Sequence, residues 1–106
     1  MARQKLGQHF LASGKVLEGI ARAACEGGVS RVVEIGPGKG ALTALLLQKA
    51  QNVVGIELDR ELADFLSDRW KDEPRLRIVE ANALDVDWST WGPGVLAGNL
   101  PYYVAT

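Results

Sequence analysis

The sequence is poor in the residues that build disulfides and metal sites. Among its 106 residues, Cys25 is the one cysteine and His9 is the one histidine. An internal disulfide or a CxxC redox or metal motif needs at least two cysteines, so both are excluded. A protein zinc site draws on several cysteine and histidine ligands, which this chain does not have. We therefore expect no metal centre.

Long hydrophobic runs are missing as well. No apolar stretch approaches the ~18 residues that indicate a membrane-spanning helix. The opening residues, Met1 to Lys5, do not lead into the apolar segment of a secretory signal. The sequence therefore predicts a cytoplasmic protein without a membrane partner.

Charge of one sign is not in excess. Twelve basic and thirteen acidic residues give a net charge of −1, whereas most autonomous nucleic-acid-binding domains are strongly basic. The distribution is uneven, because the first fifteen residues contain Arg3, Lys5, His9 and Lys15 and no acid. This segment is either a basic arm beside an acidic body or a solvated terminus.

The chain has the composition of one folded domain. With 47% hydrophobic and 24% charged residues, it is too apolar to stay disordered and long enough for one modest core. Strand-like and helix-like hydrophobic periods alternate, which is typical of a parallel α/β sheet with right-handed crossovers. The strands are apolar almost throughout, so we expect the sheet to be covered on both faces.

The predicted elements follow from local patterns. Strands are predicted at Arg31–Ile35, Val53–Glu57, Leu76–Val79 and Val95–Ala97. Helices are predicted from the N-cap Ser13 to about Glu26, from Leu42 to Ala50, and from the N-cap Asp59 to about Lys71. The apolar face of the first helix comprises Val16, Leu17, Ile20, Ala21 and Ala24, and the last helix has apolar positions at Ala63, Phe65, Leu66 and Trp70.

Ligands of such sheets bind beyond the carboxyl ends of the strands, and the first of these ends carries a glycine-rich segment. It reads Glu34-Ile-Gly36-Pro-Gly38-Lys-Gly40 and leads directly into a helix. Glycines let the backbone approach a ligand closely and adopt positive φ, and a helix N-terminus offers free N–H groups. Gly36, Gly38 and Ala41 also match the looser dinucleotide pattern. A tight strand-to-helix turn without a ligand would give the same pattern.

The second strand ends in an acid. Glu57 is placed to accept hydrogen bonds from ribose hydroxyls, unless it is a solvated or helix-capping acid. Together, the loop and the acid predict a nucleoside-containing cofactor. Glu34 favours S-adenosylmethionine over a dinucleotide, because a carboxylate is unfavourable beside phosphates and favourable near an ammonium or sulfonium group.

The fourth strand leads into Asn99-Leu100-Pro101-Tyr102, which suits methyl transfer to an exocyclic amine of a base. The Asn99 carbonyl and a main-chain carbonyl held by Pro101 can accept both amine N–H bonds and aim the nitrogen at the methyl group. Tyr102 offers a flat face for an extruded base, and such stacking contributes roughly 1–3 kcal/mol. A simple turn after a strand is the alternative.

Assembled in order, these segments resemble the N-terminal part of the rRNA adenine N6,N6-dimethyltransferase family (the KsgA type). The resemblance extends over nearly all of the chain. It implies a Rossmann-like class I S-adenosylmethionine-dependent methyltransferase fold, truncated to about four parallel strands with flanking helices. The matching segments are Lys5-Leu-Gly-Gln-His-Phe-Leu11, Val33-Glu-Ile-Gly-Pro-Gly-Lys-Gly-Ala-Leu-Thr43, Gly55-Ile-Glu-Leu-Asp59, Asn82-Ala-Leu84 and Asn99-Leu-Pro-Tyr102.

The resemblance implies a role for each site residue and a small-subunit ribosomal RNA substrate, in which neighbouring adenosines are dimethylated at N6. Asn82 stands where the family often has aspartate, and its carbonyl oxygen can still accept a bond from the cofactor's adenine. The implied catalytic residues are Asn99, Leu100, Pro101 and Tyr102. The implied cofactor-binding residues are Gln8, His9 and Leu11 at the methionine end, Gly36 and Gly38 in the loop, Glu57 at the ribose, and Leu58, Asn82, Ala83 and Asn99.

The resembling enzymes are longer than this chain. We therefore expect residues 1–106 to be part of a methyltransferase domain, with an N-terminal arm at 1–12, and without the C-terminal part of the sheet and the helical RNA-recognition domain. A strand order of 3-2-1-4 leaves the fourth strand as an unpaired edge. We expect self-association through that edge or marginal stability, and little activity from this part alone.

Three alternatives remain open from the sequence. A large-subunit rRNA adenine methylase of the antibiotic-resistance type shares the segment Asn99 to Tyr102. A non-enzymatic RNA-binding or ribosome-assembly module would suit a chain with half a sheet. A nicotinamide-dependent oxidoreductase would rest on the glycine pattern alone.

Overall fold

A computed structural model of the chain describes residues 13–26, 30–87, 90 and 94–98. The described residues contain every strand and helix that the sequence predicts, with small shifts at the ends. None of these helices is both long and apolar enough to cross a membrane. The helices are α1 (Gly14–Cys25), α2 (Ala41–Lys49) and α3 (Arg60–Arg69). The strands are β1 (Arg31–Ile35), β2 (Asn52–Glu57), β3 (Leu76–Glu80) and β4 (Val95–Gly98), and a short 3-10 helix spans Ala83–Asp85.

The four strands form one parallel sheet of order β3-β2-β1-β4. Val32 of β1 lies opposite Val53 of β2 and Val95 of β4, so the three strands are in register near their starts. The order and the parallel direction confirm the predicted α/β class. They also place β3 and β4 at the two edges.

Local chemistry sets where the helices begin. The Ser13 hydroxyl accepts a hydrogen bond from the Val16 N–H at 3.4 Å, and Asp59 Oδ1 accepts one from the Leu62 N–H at 3.2 Å. Each satisfies a donor that the first helical turn leaves without a partner. Both N-caps were predicted from the sequence. The N-cap of α2 is different, because Gly40 has a left-handed backbone with φ +94° and no side chain to accept a bond.

The helices cover one side of the sheet, which we call the helical face. Leu42 and Leu46 of α2 and Ala21 of α1 are almost fully buried there against Val32 and Val53. Trp70, at the end of α3, packs against the same cluster. Because neighbouring residues of a parallel sheet point the same way, Val95 and Ala97 of β4 also belong to this face.

The opposite side of the sheet, which we call the open face, is covered differently. Its buried centre consists of Val33, Val54 and Ile56, against which half-buried side chains of the chain after β3, such as Val86, pack. Leu96 of β4 points to the same side and is 55% exposed. The expectation of a sheet covered on both faces therefore holds for β1 and β2 and is wrong at β4.

Two apolar side chains that the sequence predicts on the apolar faces of their helices are about half exposed. Val16 is 53% exposed and Phe65 is 47% exposed, although both were expected on apolar faces. In each case the next residue, Leu17 or Leu66, is buried instead. One position along a helix is a rotation of about 100°, so the side chain next to a buried one points away from the core.

Candidate functional site

The site lies where the strands end. Because the strands are parallel and in register, Ile35, Ile56 and Val79 lie side by side at the carboxyl edge of the sheet. The pairing continues past the strands, since the Gly36 N–H donates to the Ile56 carbonyl oxygen at 2.9 Å and the Ala81 N–H donates to the Glu57 carbonyl oxygen at 3.0 Å. The structure thus brings together the glycine loop (Gly36–Gly40), Glu57 and the segment after β3.

The glycine loop takes a path that glycine alone follows at low cost. Gly36, Gly38 and Gly40 have φ of 65°, 60° and 94°, in the left-handed region. The Gly40 N–H donates to the Pro37 carbonyl oxygen at 2.9 Å, which closes the turn. Among the described residues, the nearest neighbour of a Cβ added at Gly38 would be the Gly36 carbonyl oxygen, at 4.0 Å, so that part of the structure leaves this side of the loop open. The loop is therefore accessible to a ligand at Gly38.

Glu57 connects the second strand to this loop. Its carboxylate belongs to a side chain that ends β2 and is 6% exposed. Oε1 accepts from the Gly38 N–H and Oε2 accepts from the Asp59 N–H, both at 2.9 Å. A carboxylate has about four acceptor positions, so the described donors leave two of them for hydroxyl groups of a ligand. The helix-capping alternative does not hold for Glu57, because Asp59 is the side chain that caps α3.

Glu34 lies beneath the loop on the helical face. It is 1% exposed and accepts a hydrogen bond from the Thr43 hydroxyl of α2. Burial raises the pKa of Glu34 to about 7; the bond from Thr43 opposes this and repulsion from Glu57 adds to it. The carboxyl that the sequence assigned to the cationic part of a ligand is thus held against α2 instead of being presented to solvent.

The segment after β3 forms the far side of the site. Asn82 Oδ1 accepts from the Leu84 N–H at 2.9 Å and so caps the 3-10 helix. Asn82 and Ala83 are half-buried, whereas Leu84 is 82% exposed and Leu58, which follows β2, is 45% exposed. The oxygen predicted to meet an adenine ring already has one partner, and two exposed leucines add apolar surface at the strand ends.

The remaining predicted site residues lie outside the described residues. These are Gln8, His9 and Leu11, and Asn99, Leu100, Pro101 and Tyr102. Their assignments therefore stay predictions. Gly98, which precedes Asn99 in the sequence, ends β4 beside Ile35 of β1.

Two residues that shape the loop have no role in the expectations from sequence. Thr43 fixes Glu34, as described above. Gly55 of β2 lies under Pro37, because a Cβ at Gly55 would be 3.3 Å from the Pro37 Cγ atom and 3.0 Å from the Ile78 Cδ1 atom. Pro37 is buried at this contact. A glycine inside an otherwise β-branched strand is the signal that could have revealed this close approach.

A parallel sheet of this order, with a glycine loop after β1 and an acid at the end of β2, is Rossmann-like. Its similarity to solved rRNA adenine methyltransferases assigns the fold to class I methyltransferases. The particular family follows from the sequence. The family model described as ribosomal RNA adenine dimethylase matches residues 1–106, and the chain belongs to that family.

Curated relatives agree with the family. The chain is 45% identical over 106 residues to "Ribosomal RNA small subunit methyltransferase A" of Bordetella pertussis. The alignment covers 99% of this chain and 40% of the relative. The protein of the same name from Acidobacterium capsulatum is 44% identical over 108 residues, covering 98% of this chain and 38% of the relative. The chain thus spans about two fifths of the length of these relatives.

Solved structures give the same fold. A dimethyladenosine transferase from Plasmodium falciparum aligns with a TM-score of 0.67 and 27% identity over 89% of this chain and 34% of that one. The 23S rRNA methyltransferase ErmE aligns with a TM-score of 0.66 and 33% identity over 74% of this chain and 32% of that one. The N-terminal domain of EvdMO1, solved with SAH bound, aligns with a TM-score of 0.66 at 19% identity over 81% of this chain and 37% of that one, which shows the fold alone.

Proposed function

We propose that this chain is the cofactor-binding part of an S-adenosylmethionine-dependent enzyme that dimethylates N6 of adenosines in small-subunit ribosomal RNA. The observation that carries the proposal is the hydrogen bond from the Gly38 N–H to the Glu57 carboxylate. It connects the end of β2 to the accessible part of the glycine loop. Family membership and the name of the relatives support the reaction and the RNA. Because the chain covers 40% of those relatives, we expect little turnover from residues 1–106 alone.

The described residues fit the nucleoside part of the cofactor. The free acceptor positions of Glu57 suit two ribose hydroxyls. The exposed side chains of Leu58 and Leu84 suit the faces of an adenine ring. Asn82 would contribute the second lone pair of its oxygen, and Ala83 leaves room beside it. An acid at the end of the second strand also binds the ribose in dinucleotide sites, so the choice of S-adenosylmethionine over a dinucleotide is supported by family membership.

When bound, S-adenosylmethionine supplies a methyl group made electrophilic by its sulfonium. The chain's own task is then to hold and orient. Asn99 and the main chain at Leu100 and Pro101 would accept the two N–H bonds of the target amine, and Tyr102 would stack on the base. Gln8, His9 and Leu11 would border the methionine end. Positioning carries this chemistry, and no general base of unusual pKa is required.

We assign the small subunit over the large subunit on the names of the relatives. The proteins that match at about 45% identity are small-subunit enzymes, whereas the likeness to the 23S rRNA enzyme is 33%. With an RNA substrate of this kind, we expect a cytoplasmic location. The basic residues Arg3, Lys5 and Lys15 would face that RNA.

The free edge of β4 leads us to propose self-association as well. Among the described residues, β4 pairs with β1 on one side, and Leu96 leaves apolar surface at the same edge. An unpaired strand is a template for pairing with another chain.

Calorimetric titration of the chain with S-adenosylhomocysteine, S-adenosylmethionine and NAD tests the cofactor assignment. We expect the first two to bind and NAD not to bind. Glu57→Gln keeps the shape of the side chain and removes its charge, so the dissociation constant for S-adenosylhomocysteine should rise by about tenfold or more. Glu61→Gln, on the exposed first turn of α3, is the matched control and should leave it unchanged.

Two results would contradict the proposal. Preferential binding of NAD would reassign the chain to dinucleotide chemistry. Binding of RNA without binding of either methionine-derived nucleoside would favour the non-enzymatic RNA-binding alternative.

A further inference from the structure

The end of α3 lies against the outer side of the glycine loop. Arg69 Nη1 donates a hydrogen bond to the Lys39 carbonyl oxygen at 2.9 Å. The same guanidinium lies over the indole of Trp70, with 4.2 Å between its central carbon and the ring centroid. A planar guanidinium can stack on an aromatic ring and donate in its own plane at the same time. Arg69 therefore links Trp70 to the loop backbone.

Trp70 itself touches the loop at Gly40. The position that a Cβ of Gly40 would occupy is 2.5 Å from the Trp70 Cη2 atom and 2.6 Å from the Cζ3 atom. The indole thus fills the space that any side chain at position 40 would need. On its other side Trp70 packs against the core of the helical face, so the loop rests on a ring that the core holds in place.

The loop is consequently restrained from two directions. From the inside, the Glu57 carboxylate accepts from the Gly38 N–H. From the outside, Arg69 and Trp70 hold Lys39 and Gly40. Three glycines within five residues make this backbone costly to order. A loop that is ordered before the ligand arrives lowers the cost of binding.

We propose that Arg69 and Trp70 are positioning residues that hold the glycine loop in its ligand-binding conformation. Neither residue is part of the loop motif or touches the open side of the loop at Gly38. This inference rests on the proposed function, because it takes the loop to be the cofactor-binding element. Part of the affinity for the cofactor then depends on the end of α3, which does not lie at the carboxyl edge of the sheet.

The test compares Arg69→Ala with Arg60→Ala, an exposed arginine at the other end of the same helix. The first readout is amide hydrogen exchange at Gly38 and Gly40, and the second is the dissociation constant for S-adenosylhomocysteine. Because Arg69 is exposed, losing this hydrogen bond should have the effect of losing an ordinary one, which predicts exchange about 2- to 13-fold faster in the loop for Arg69→Ala and binding weaker by a similar factor. Exchange in the core strands β1 and β2 should not change.

Conservative replacements separate positioning from general stability. Trp70→Phe keeps an aromatic ring for Arg69 but lacks the Cη2 and Cζ3 atoms that reach Gly40, so its affinity should lie between those of the wild type and Trp70→Leu. Trp70→Leu should lose the affinity even at temperatures where urea unfolding shows the variant to be fully folded. Arg69→Lys keeps a donor for the Lys39 carbonyl and should lie between the wild type and Arg69→Ala.

The other outcomes would contradict either the positioning role of Arg69 and Trp70 or the proposed cofactor-binding function. Unchanged loop exchange in Arg69→Ala, or faster exchange with unchanged affinity, would overturn the positioning role. If the unaltered chain does not bind S-adenosylhomocysteine, the proposed function fails, and the role of Arg69 and Trp70 in binding fails with it. The exchange readout then still decides whether these two residues order the loop.

Discussion

Burying the Glu34 carboxylate costs hydration free energy, which its hydrogen bond from Thr43 offsets only in part. A carboxylate loses most of its hydration when it is buried. Glu34 is 1% exposed, and in the described part of the chain the Thr43 hydroxyl is the side-chain donor that replaces this hydration. The nearby carboxylate of Glu57 adds repulsion. These effects raise the pKa of Glu34 to about 7, from 4.5. The group is therefore partly protonated at neutral pH.

The sign of the resulting pH dependence follows from the direction of the shift. A carboxyl whose pKa is higher in the folded state binds more protons there, so its contribution to stability is complete below the unfolded pKa of 4.5 and is lost as the pH rises through about 7. The size of the shift corresponds to about 3 kcal/mol. We expect the free energy of unfolding to fall between about pH 5 and 8.

Urea unfolding of the wild type and Glu34→Gln across that range isolates the contribution, because other titrating groups are shared by both proteins. The glutamine keeps an oxygen for the Thr43 hydroxyl and cannot ionise. The difference between the two curves should therefore grow with pH in favour of Glu34→Gln. Parallel curves would mean that Glu34 is charged in the folded state throughout.

Among the elements, the start of α2 is the point where three parts of the fold meet. Gly40 ends the glycine loop, caps α2 and touches Trp70 at the end of α3. Its φ of +94° is unfavourable for any residue with a Cβ, and the indole already occupies the Cβ position. The packing of α3 on the loop thus depends on the absence of a side chain at this position.

Gly40→Ala should destabilise the chain by at least about 2 kcal/mol, because strained backbone and steric overlap add. Gly19→Ala is the matched control, since Gly19 lies inside α1 and has nothing within 4 Å of a Cβ position. That change should stabilise the chain by about 0.5–1 kcal/mol. Chemical unfolding of both variants gives the comparison, and a Gly40→Ala variant as stable as the wild type would exclude the close contact with Trp70.

Gly40 and Gly19 illustrate which features of the fold can be predicted from the sequence and which cannot. Elements that depend on neighbouring residues were predictable, such as the N-caps Ser13 and Asp59 and the β-branched run that forms β1. The parallel class and the site at the strand ends followed from alternation of the elements. Contacts between distant segments were not predictable, because the sequence does not tell which of Val16 and Leu17 turns inward, or that Trp70 lies on Gly40.

The same reasoning applies to the candidate site. The glycine loop and Glu57 were assigned from local patterns, and the structure brings them together. The orientation of Glu34 toward Thr43 depends on how α2 crosses the sheet, which a strand pattern does not contain. The assignments of Gln8, His9 and Leu11 come from the resemblance, whereas those of Asn99 to Tyr102 come from the chemistry of amine methylation together with the resemblance. All of them stay predictions.

Among the described residues, the sheet has one helical face and an open face whose cover ends before β4. Leu96 is 55% exposed on that open face, next to the edge of β4 that has no partner strand among the described residues. Isolated exposed leucines are common, but an apolar residue on an unpaired edge strand favours pairing with a second strand. Chains of this kind gain backbone hydrogen bonds and bury apolar surface when two edges meet.

We therefore expect the chain to associate as its concentration rises, and Leu96→Lys to weaken that association because a lysine on an edge strand opposes pairing. Val16→Lys is the matched control, since Val16 is similarly exposed, at 53%, but lies on α1 of the other face. Sedimentation velocity over a series of concentrations measures the effect. A chain that stays monomeric throughout, or a control that dissociates the assembly equally well, would show that β4 is not the interface, because the two substitutions add the same charge and differ in their position relative to the sheet edge.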